Sequence, residues 1–150
     1  NGDRSGKTDL TVSGNTFTQI NHTFTDTSCA MPEMTFEIQG LLSVQGEKTL
    51  SSGQTGIKLL TPNITFMVTL HREEFVQGMN VASSCGTSNW AIGKPVNATN
   101  CELFQTAVEE FDKGAVYVVD GDLLYGGDED SLAADGYPSQ LDDSPFKRVN

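Results

Sequence analysis

The stretch Met34–Gln45, which reads MTFEIQGLLSVQ, decides the fold class of this chain. Alternate positions in it carry apolar or small side chains: Met34, Phe36, Ile38, Gly40, Leu42 and Val44. Polar residues stand between them, and Leu41 alone breaks the alternation. A period of two is typical of a strand with one buried face. The stretch is longer than an ordinary strand of about five or six residues, and long strands are typical of barrels.

Further segments alternate in the same way and are separated by turn residues. They are 16–25, 56–60, 63–72, 74–82, 115–120 and 122–125. Gly121 separates the last two, which form either one bulged strand or a hairpin. The segment 103–111 fits helical spacing as well as alternation, and the surrounding pattern favours a strand. Turn signals every 8–12 residues predict an all-β fold, a sandwich or a barrel.

The 150 residues are the length of one domain, and their organisation is expected in three parts. Residues 1–9 are polar and are expected to be flexible, and residues 10–126 are expected to form an antiparallel β-barrel. Residues 127–150 are acidic and rich in Gly, Ser and Pro. They are expected to form an extended tail or loop packed on the barrel through Tyr137, Leu141 and Phe146.

Charge and hydropathy exclude two classes of function. The formal net charge is -11, which argues against binding to nucleic acid or to anionic membranes. No apolar run approaches the roughly 20 residues of a membrane-spanning helix. The sequence therefore predicts an acidic globular domain that neither binds nucleic acid nor spans a membrane.

Three Asn-x-Thr tripeptides, at Asn21, Asn63 and Asn97, match the N-glycosylation pattern. The alternative is three ordinary polar turns. The sequence begins with Asn rather than Met, which fits removal of a secretory signal. Together these features predict a secreted, extracellular glycoprotein.

The sequence has three cysteines, Cys29, Cys85 and Cys101. An odd number of cysteines requires an explanation in a secreted protein. A disulfide between Cys85 and Cys101 would close a loop of about 17 residues and stabilise the fold by roughly 3 kcal/mol. Cys29 is then left over. It is free, is paired with a cysteine upstream of Asn1, or joins a second chain in an oligomer, which could also form without a covalent link.

Catalytic and metal-binding motifs are absent from the sequence. His22 lies within a glycosylation tripeptide and His71 ends a strand, so both are expected at the surface. The acidic run Asp120–Asp122 lacks the ligand spacing of an EF-hand, and a solvated loop is the better interpretation. We therefore predict no catalytic residue, no metal site and no enzymatic activity.

Three motifs occur in an order that characterises a known family. They are F-x-D-x-x-C-x-x-P-x-x-T-x-x-x-x-G from Phe24 to Gly40, C-x4-W-x2-G-x7-C from Cys85 to Cys101, and GDLLYGG from Gly121 to Gly127, followed by Tyr137-Pro138 and Leu141-Asp142. This pattern resembles the lipocalin-like domain of the adenomatosis polyposis coli down-regulated proteins, which are secreted or membrane-tethered Wnt antagonists. The resemblance spans residues 24–146.

The resemblance implies a single antiparallel lipocalin-like β-barrel that can enclose an acyl chain. It also supports the disulfide between Cys85 and Cys101, and it implies that Cys29 pairs with a cysteine in an N-terminal strand. This sequence departs from the family because no cysteine precedes Cys29 and the basic, proline-containing opening segment is missing. Larger family members carry two such domains, and this chain has room for one.

The leading prediction is a carrier of a small hydrophobic ligand such as a fatty acid, a sterol or a pigment, with no other cofactor. Apolar burial would supply the affinity, and one or two polar groups at the mouth would orient the ligand. Trp90 would close one mouth of the barrel or pack beneath the disulfide loop. The alternative is an extracellular interaction or matrix glycoprotein with a solid barrel, which recognises partners through its acidic surface. The predicted ligand-binding residues are Phe36, Ile38, Leu42, Phe66, Val68, Phe75 and Trp90.

Overall fold

The computed structural model describes residues 4–111 and 113–149. With 45% of residues in strands and 17% in helices, the fold is mostly β, which confirms the predicted class in its coarse form. The strands form two five-stranded antiparallel sheets, and in the described residues neither sheet closes into a barrel. A single lipocalin-like barrel stays a prediction. The chain divides into two compact units, the first running up to Gly40 and from Asn63 to Val108, the second from Leu41 to Pro62 and from Glu109 onward.

The described residues form ten strands and two α-helices. The strands are β1 (Ser5–Ser13), β2 (Thr16–Phe24), β3 (Pro32–Leu41), β4 (Ser43–Thr49), β5 (Thr55–Leu60), β6 (Thr65–Leu70), β7 (Val96–Asn97), β8 (Ala115–Asp120), β9 (Leu123–Gly126) and β10 (Phe146–Lys147). The helices are α1 (Glu73–Val81) and α2 (Gln105–Phe111), and 3-10 turns lie at Ser84–Gly86, Glu102–Phe104 and Glu129–Ser131.

The sheet of the first unit has the strand order β1-β2-β3-β6-β7. The pairing of β3 with β6 sets Ile38 opposite Phe66, and both side chains are buried. Gly40 leaves room for the ring of Phe17, because a Cβ at Gly40 would lie 2.9 Å from Cε1 of that ring. Alternation along these strands therefore places the apolar core of this unit on one face of its sheet.

The sheet of the second unit has the order β10-β9-β8-β5-β4. β8 and β9 form a hairpin with a two-residue turn at Gly121 and Asp122, which decides between the two alternatives for this region. Gly121 has a φ of 60°, a left-handed conformation that glycine adopts without steric strain.

The core of the second unit lies on one face of its sheet. Leu50, Val116 and Val118 are buried there, and Tyr137 and Leu141 of the acidic C-terminal segment pack against them. The predicted contacts of these two side chains are therefore present. Phe146 begins the edge strand β10 and pairs with β9.

The prediction of one long strand at Met34–Gln45 was wrong. The chain leaves the first sheet after Leu41 and enters the second at Ser43, so two strands share this stretch. The break follows Leu41, the residue that interrupts the alternation. Val44, expected on the buried face, is 69% exposed, because pairing in the second sheet sets its orientation independently of β3.

Two segments predicted as strands are helical. Residues 74–82 lie mostly in α1, where Glu73 and Glu74 occupy the first turn and Val76 is buried. Carboxylates at that end interact favourably with the helix dipole, which helps to explain the helix. The segment 103–111 forms a 3-10 turn followed by α2, so helical spacing was the correct signal there.

The expected flexible N-terminal segment is partly structured. β1 begins at Ser5 and pairs with β2 along its whole length, from Ser5 opposite Phe24 to Ser13 opposite Thr16. Backbone pairing orders this polar segment, although none of the residues of β1 is fully buried. Residues 1–3 lie outside the described residues, as does Asn150 at the end of the acidic segment.

Candidate functional site

Four of the seven predicted ligand-binding residues lie on one face of the first unit's sheet: Phe36, Ile38, Phe66 and Val68. The ring centroids of Phe36 and Phe66 are 5.8 Å apart, and the ring of Phe104 packs against them at 6.1 and 5.9 Å. Ile38 and Val68 have no exposed surface. These side chains fill the space between one another, as in a close-packed core.

The remaining three predicted residues lie on other elements. Leu42 is half-buried between β3 and β4, in the second unit, and Phe75 is half-buried on α1. Trp90 is buried in the loop that precedes β7. The structure thus gathers four of the seven residues into one cluster and places three elsewhere.

Trp90 is fixed to α1 and to the disulfide loop. Its backbone N–H donates to the side-chain oxygen of Asn80 at 2.8 Å, and the Asn80 amide donates to the Trp90 carbonyl at 2.9 Å. The indole N–H donates to the carbonyl of Ser84 at 3.1 Å. Cys85 follows Ser84 and forms the predicted disulfide with Cys101. Trp90 therefore packs against the disulfide loop, one of the two roles expected for it.

The second unit presents a different kind of surface on the sheet face opposite its core. Strand register places three cross-strand rows of side chains there: Phe146, Leu124 and Val119 in the first, Tyr117 and Ile57 in the second, and Ala115, Leu59 and Val44 in the third. The second row ends at the carboxylate of Glu47, which lies opposite Ile57. We call the eight residues of the three rows other than Glu47 and Gly126 the apolar sheet face. Residues opposite one another in an antiparallel sheet have Cβ atoms about 5 Å apart, so the rows form a continuous surface.

Much of the apolar sheet face is open to solvent. Val44 is 69% exposed, Val119 is 67% exposed and Ile57 is 46% exposed. On the opposite face of the same strands, Val116 and Val118 are covered by the C-terminal segment. Contiguous exposed apolar surface is uncommon in folded proteins and commonly marks a binding site.

A surface recess lies at one end of the apolar sheet face. Its volume is about 90 Å³. Ala115 and Tyr117 belong to both surfaces. The recess is lined by Glu110, Lys113, Gly114, Ala115, Tyr117, Gly126, Gly127, Glu129, Leu132 and Pro138. Because drug-sized ligands occupy pockets of about 300–1,000 Å³, this recess can hold only one end of such a molecule.

The described residues contribute two carboxylates and one ammonium to the recess, from Glu110, Glu129 and Lys113. Burial, together with the negative charge of Glu129, raises the pKa of Tyr117. The phenol is therefore protonated at neutral pH and can both donate and accept a hydrogen bond. The recess thus combines apolar walls with polar groups.

Two other lysines of the second unit interact outside the recess. Lys48 Nζ lies 2.6 Å from Oδ1 of Asp135, and this hydrogen bond is the main cause of the lowered pKa of Asp135. Lys58 Nζ lies 4.9 Å from the ring centroid of Tyr137, in cation–π geometry.

Both histidines converge on one hydroxyl group on the sheet of the first unit. His22 Nδ1 lies 3.1 Å from Oγ1 of Thr35, and His71 Nε2 lies 2.8 Å from the same atom. The other imidazole nitrogen of His22 is 3.8 Å from Oδ2 of Asp9. A hydroxyl can donate to one imidazole while accepting the N–H of the other, so Thr35 can bond to both rings at once. We call His22, Thr35 and His71 the histidine row. Both rings are half-buried rather than free at the surface.

The three predicted glycosylation sites differ in exposure. Asn63 is exposed and precedes β6, and Asn97 is exposed on the edge strand β7. The side chain of Asn97 accepts a hydrogen bond from the backbone N–H of Thr99 at 3.0 Å. Asn21 is half-buried on β2, between two neighbouring strands, and accepts a hydrogen bond from the Gln19 amide.

Cys29 is exposed on the loop between β2 and β3. Asp26 orders this loop by accepting hydrogen bonds from the backbone N–H groups of Ala30 and Met31. Hydrogen bonding, first from the hydroxyl of Ser28 and then from the backbone of Met31, lowers the pKa of Asp26. Cys29 Sγ lies 3.2 Å from the hydroxyl of Ser5.

In residues 4–111 and 113–149, no group of three or more His, Cys, Asp or Glu side chains is arranged to hold a metal ion. No helix in the same ranges is long and apolar enough to cross a membrane.

Sequence reasoning missed the apolar sheet face and the histidine row. In β8 both alternating sets are apolar, Val116 and Val118 on one side and Tyr117 and Val119 on the other, so alternation could not show which side the chain covers. The consecutive apolar residues of this strand were the only available signal. No protein-family model matches the chain, and no curated protein matches it.

Proposed function

We propose that the chain is a secreted glycoprotein that binds a small hydrophobic molecule on its apolar sheet face. The exposure of three β-branched side chains on that face, Val44, Ile57 and Val119, supports the proposal most directly. The adjoining recess offers a place for one end of the ligand. A lipocalin-like barrel, as the resemblance implies, is proposed as the fold that carries this face, and binding requires no covalent chemistry.

The exposed area is large enough to matter for binding. Burying a Val or Ile side chain completely is worth about 1.5–3 kcal/mol. The three side chains are about half to two-thirds exposed. Together they can therefore contribute roughly 4 kcal/mol, equivalent to about a thousandfold in affinity before association costs. The half-buried Leu59, Tyr117 and Leu124 would add further contacts.

Binding of a neutral fluorescent probe to the purified chain tests the proposal. N-phenyl-1-naphthylamine brightens in apolar surroundings, and we expect saturable binding that long-chain competitors displace. Val119→Gln should weaken probe binding several-fold, because it places an amide on the apolar sheet face. Val12→Gln is the matched control, since Val12 is also a strand valine more than half exposed but lies on β1, in the other sheet.

Three outcomes would contradict the proposal. The probe does not bind, both variants weaken binding equally, or the apolar sheet face associates with a protein and takes up no small molecule. The last result would favour the alternative of an interaction glycoprotein. Circular dichroism of both variants establishes whether each remains folded.

Secretion and glycosylation are part of the same proposal. The disulfide between Cys85 and Cys101 supports an oxidising compartment. We expect glycans on the exposed Asn63 and Asn97 and none on Asn21, where a glycan would have to extend from a half-buried position on an interior strand. Glycopeptide mass spectrometry of protein secreted from animal cells measures each occupancy. High occupancy of Asn21 would contradict this assignment.

A further inference from the structure

The recess provides information about the polar end of the ligand, if the proposed function is correct. It adjoins the apolar sheet face through Ala115 and Tyr117, so a chain lying along the face can direct its end into the recess. The recess measures about 90 Å³, well below the roughly 300–1,000 Å³ of pockets that enclose a drug-sized ligand, so it suits a small head group better than a sugar or a phosphocholine.

Charge distinguishes among the head groups small enough to enter. Among the residues that the structure describes, the charged groups lining the recess are the carboxylates of Glu110 and Glu129 and the ammonium of Lys113, a formal charge of -1. Lys48, which is not part of the recess, pairs with Asp135. An entering carboxylate would make the local charge -2, an alcohol would leave it at -1, and a primary ammonium would neutralise it.

We infer that the apolar sheet face and its recess bind a single-chain amphiphile whose head group is a primary ammonium. The ammonium donates hydrogen bonds to the carboxylates of Glu110 and Glu129, and the alkyl chain lies along Val119 and Ile57. This inference rests on the proposed function and narrows its ligand class, because it disfavours the fatty acids named among the expected ligands.

Three ten-carbon probes that differ only in their head group test the inference: decylamine, decanol and decanoate. Each competes with N-phenyl-1-naphthylamine for the purified chain at neutral pH and physiological salt. We expect decylamine to bind about five- to tenfold more tightly than decanoate, the effect of one favourable charge interaction at the protein surface. Decanol should fall between them.

Two variants separate the recess from the general negative charge of the chain. Glu129→Gln removes one recess carboxylate, and Glu102→Gln removes the same charge from the 3-10 turn at Glu102–Phe104, in the first unit. Glu129→Gln should reduce the preference for decylamine at least threefold, and Glu102→Gln should leave it unchanged.

Any other result overturns the inference and also shows which part of the reasoning fails. If the three probes bind equally, or if decanoate binds most tightly, the assignment of the head group is wrong while the proposed function stands. If both variants reduce the preference equally, the amine is attracted by the overall charge and not by the recess. If no probe binds, the proposed function itself fails.

Discussion

Replacing Gly56 with alanine tests the packing that leaves the apolar sheet face uncovered. Gly56 lies on β5 and points toward the core of the second unit, where a Cβ would overlap Cγ1 of Val116. Val116 has no exposed surface, so it can move only by displacing its neighbours. We expect Gly56→Ala to lower the free energy of unfolding.

The magnitude follows from two opposing effects. Overpacking a core destabilises by about 1–3 kcal/mol, and the overlap with a buried side chain places this case near the upper end. Alanine in a strand recovers about 0.5–1 kcal/mol relative to glycine. The net destabilisation is about 2 kcal/mol, which corresponds to a fall in Tm of roughly 6 °C for a chain of this length.

Gly78→Ala is the matched control. Gly78 lies inside α1, and a Cβ there would meet no atom within 4 Å. Alanine is the better helix former, so this substitution should raise stability by up to about 1 kcal/mol. Thermal and urea unfolding followed by circular dichroism measure both variants. Equal shifts in Tm, or a more stable Gly56→Ala variant, would refute the packing described for β5 and β8.

Three further predictions concern the disulfide, the recess and the histidine row. Replacing Cys85 and Cys101 with alanine should lower the free energy of unfolding by about 3 kcal/mol, since they lie 16 residues apart, and unchanged urea unfolding followed by tryptophan fluorescence would contradict this. Burial raises the pKa of Tyr117, so the resulting stability is complete below pH ~10 and is lost as pH rises through the folded-state pKa. Urea unfolding from pH 8 to 11 should show a steeper loss for the parent chain than for Tyr117→Phe, and parallel curves would disprove it. Thr35→Val removes the hydroxyl shared by two imidazoles and should destabilise by about 1–2 kcal/mol, whereas Thr35→Ser should retain most of the stability. Equal unfolding midpoints for these two variants would count against the row.

Local patterns predicted part of the fold because they depend on neighbouring residues. Alternation identified β5, β6 and β8, and cysteine spacing identified the disulfide. Alternation predicted a strand where α1 forms. A short amphipathic segment such as 74–82 fits the period of two of a strand and the period of 3.6 of a helix, and only its packing decides between them. The same ambiguity affected the segment 103–111, which is helical.

The candidate site was less predictable because strand pairing creates it. The apolar sheet face draws on five strands, and its rows depend on the registers between them. The histidine row joins residues 49 positions apart through Thr35, an ordinary strand residue in the sequence. Large apolar side chains such as Phe36 and Phe66 pack against each other. Because core and pocket lining use the same residue types, their assignment to a ligand site stays a prediction.

Native mass spectrometry of the chain isolated from its natural source would detect the proposed ligand itself. We expect one equivalent of a bound single-chain amphiphile, released by organic extraction and carrying an amine that reacts with acylating reagents. The extracted protein should take up decylamine, and Val119→Gln should reduce that uptake. Ligand-free protein that takes up neither decylamine nor N-phenyl-1-naphthylamine would contradict the proposal that the apolar sheet face binds a hydrophobic ligand.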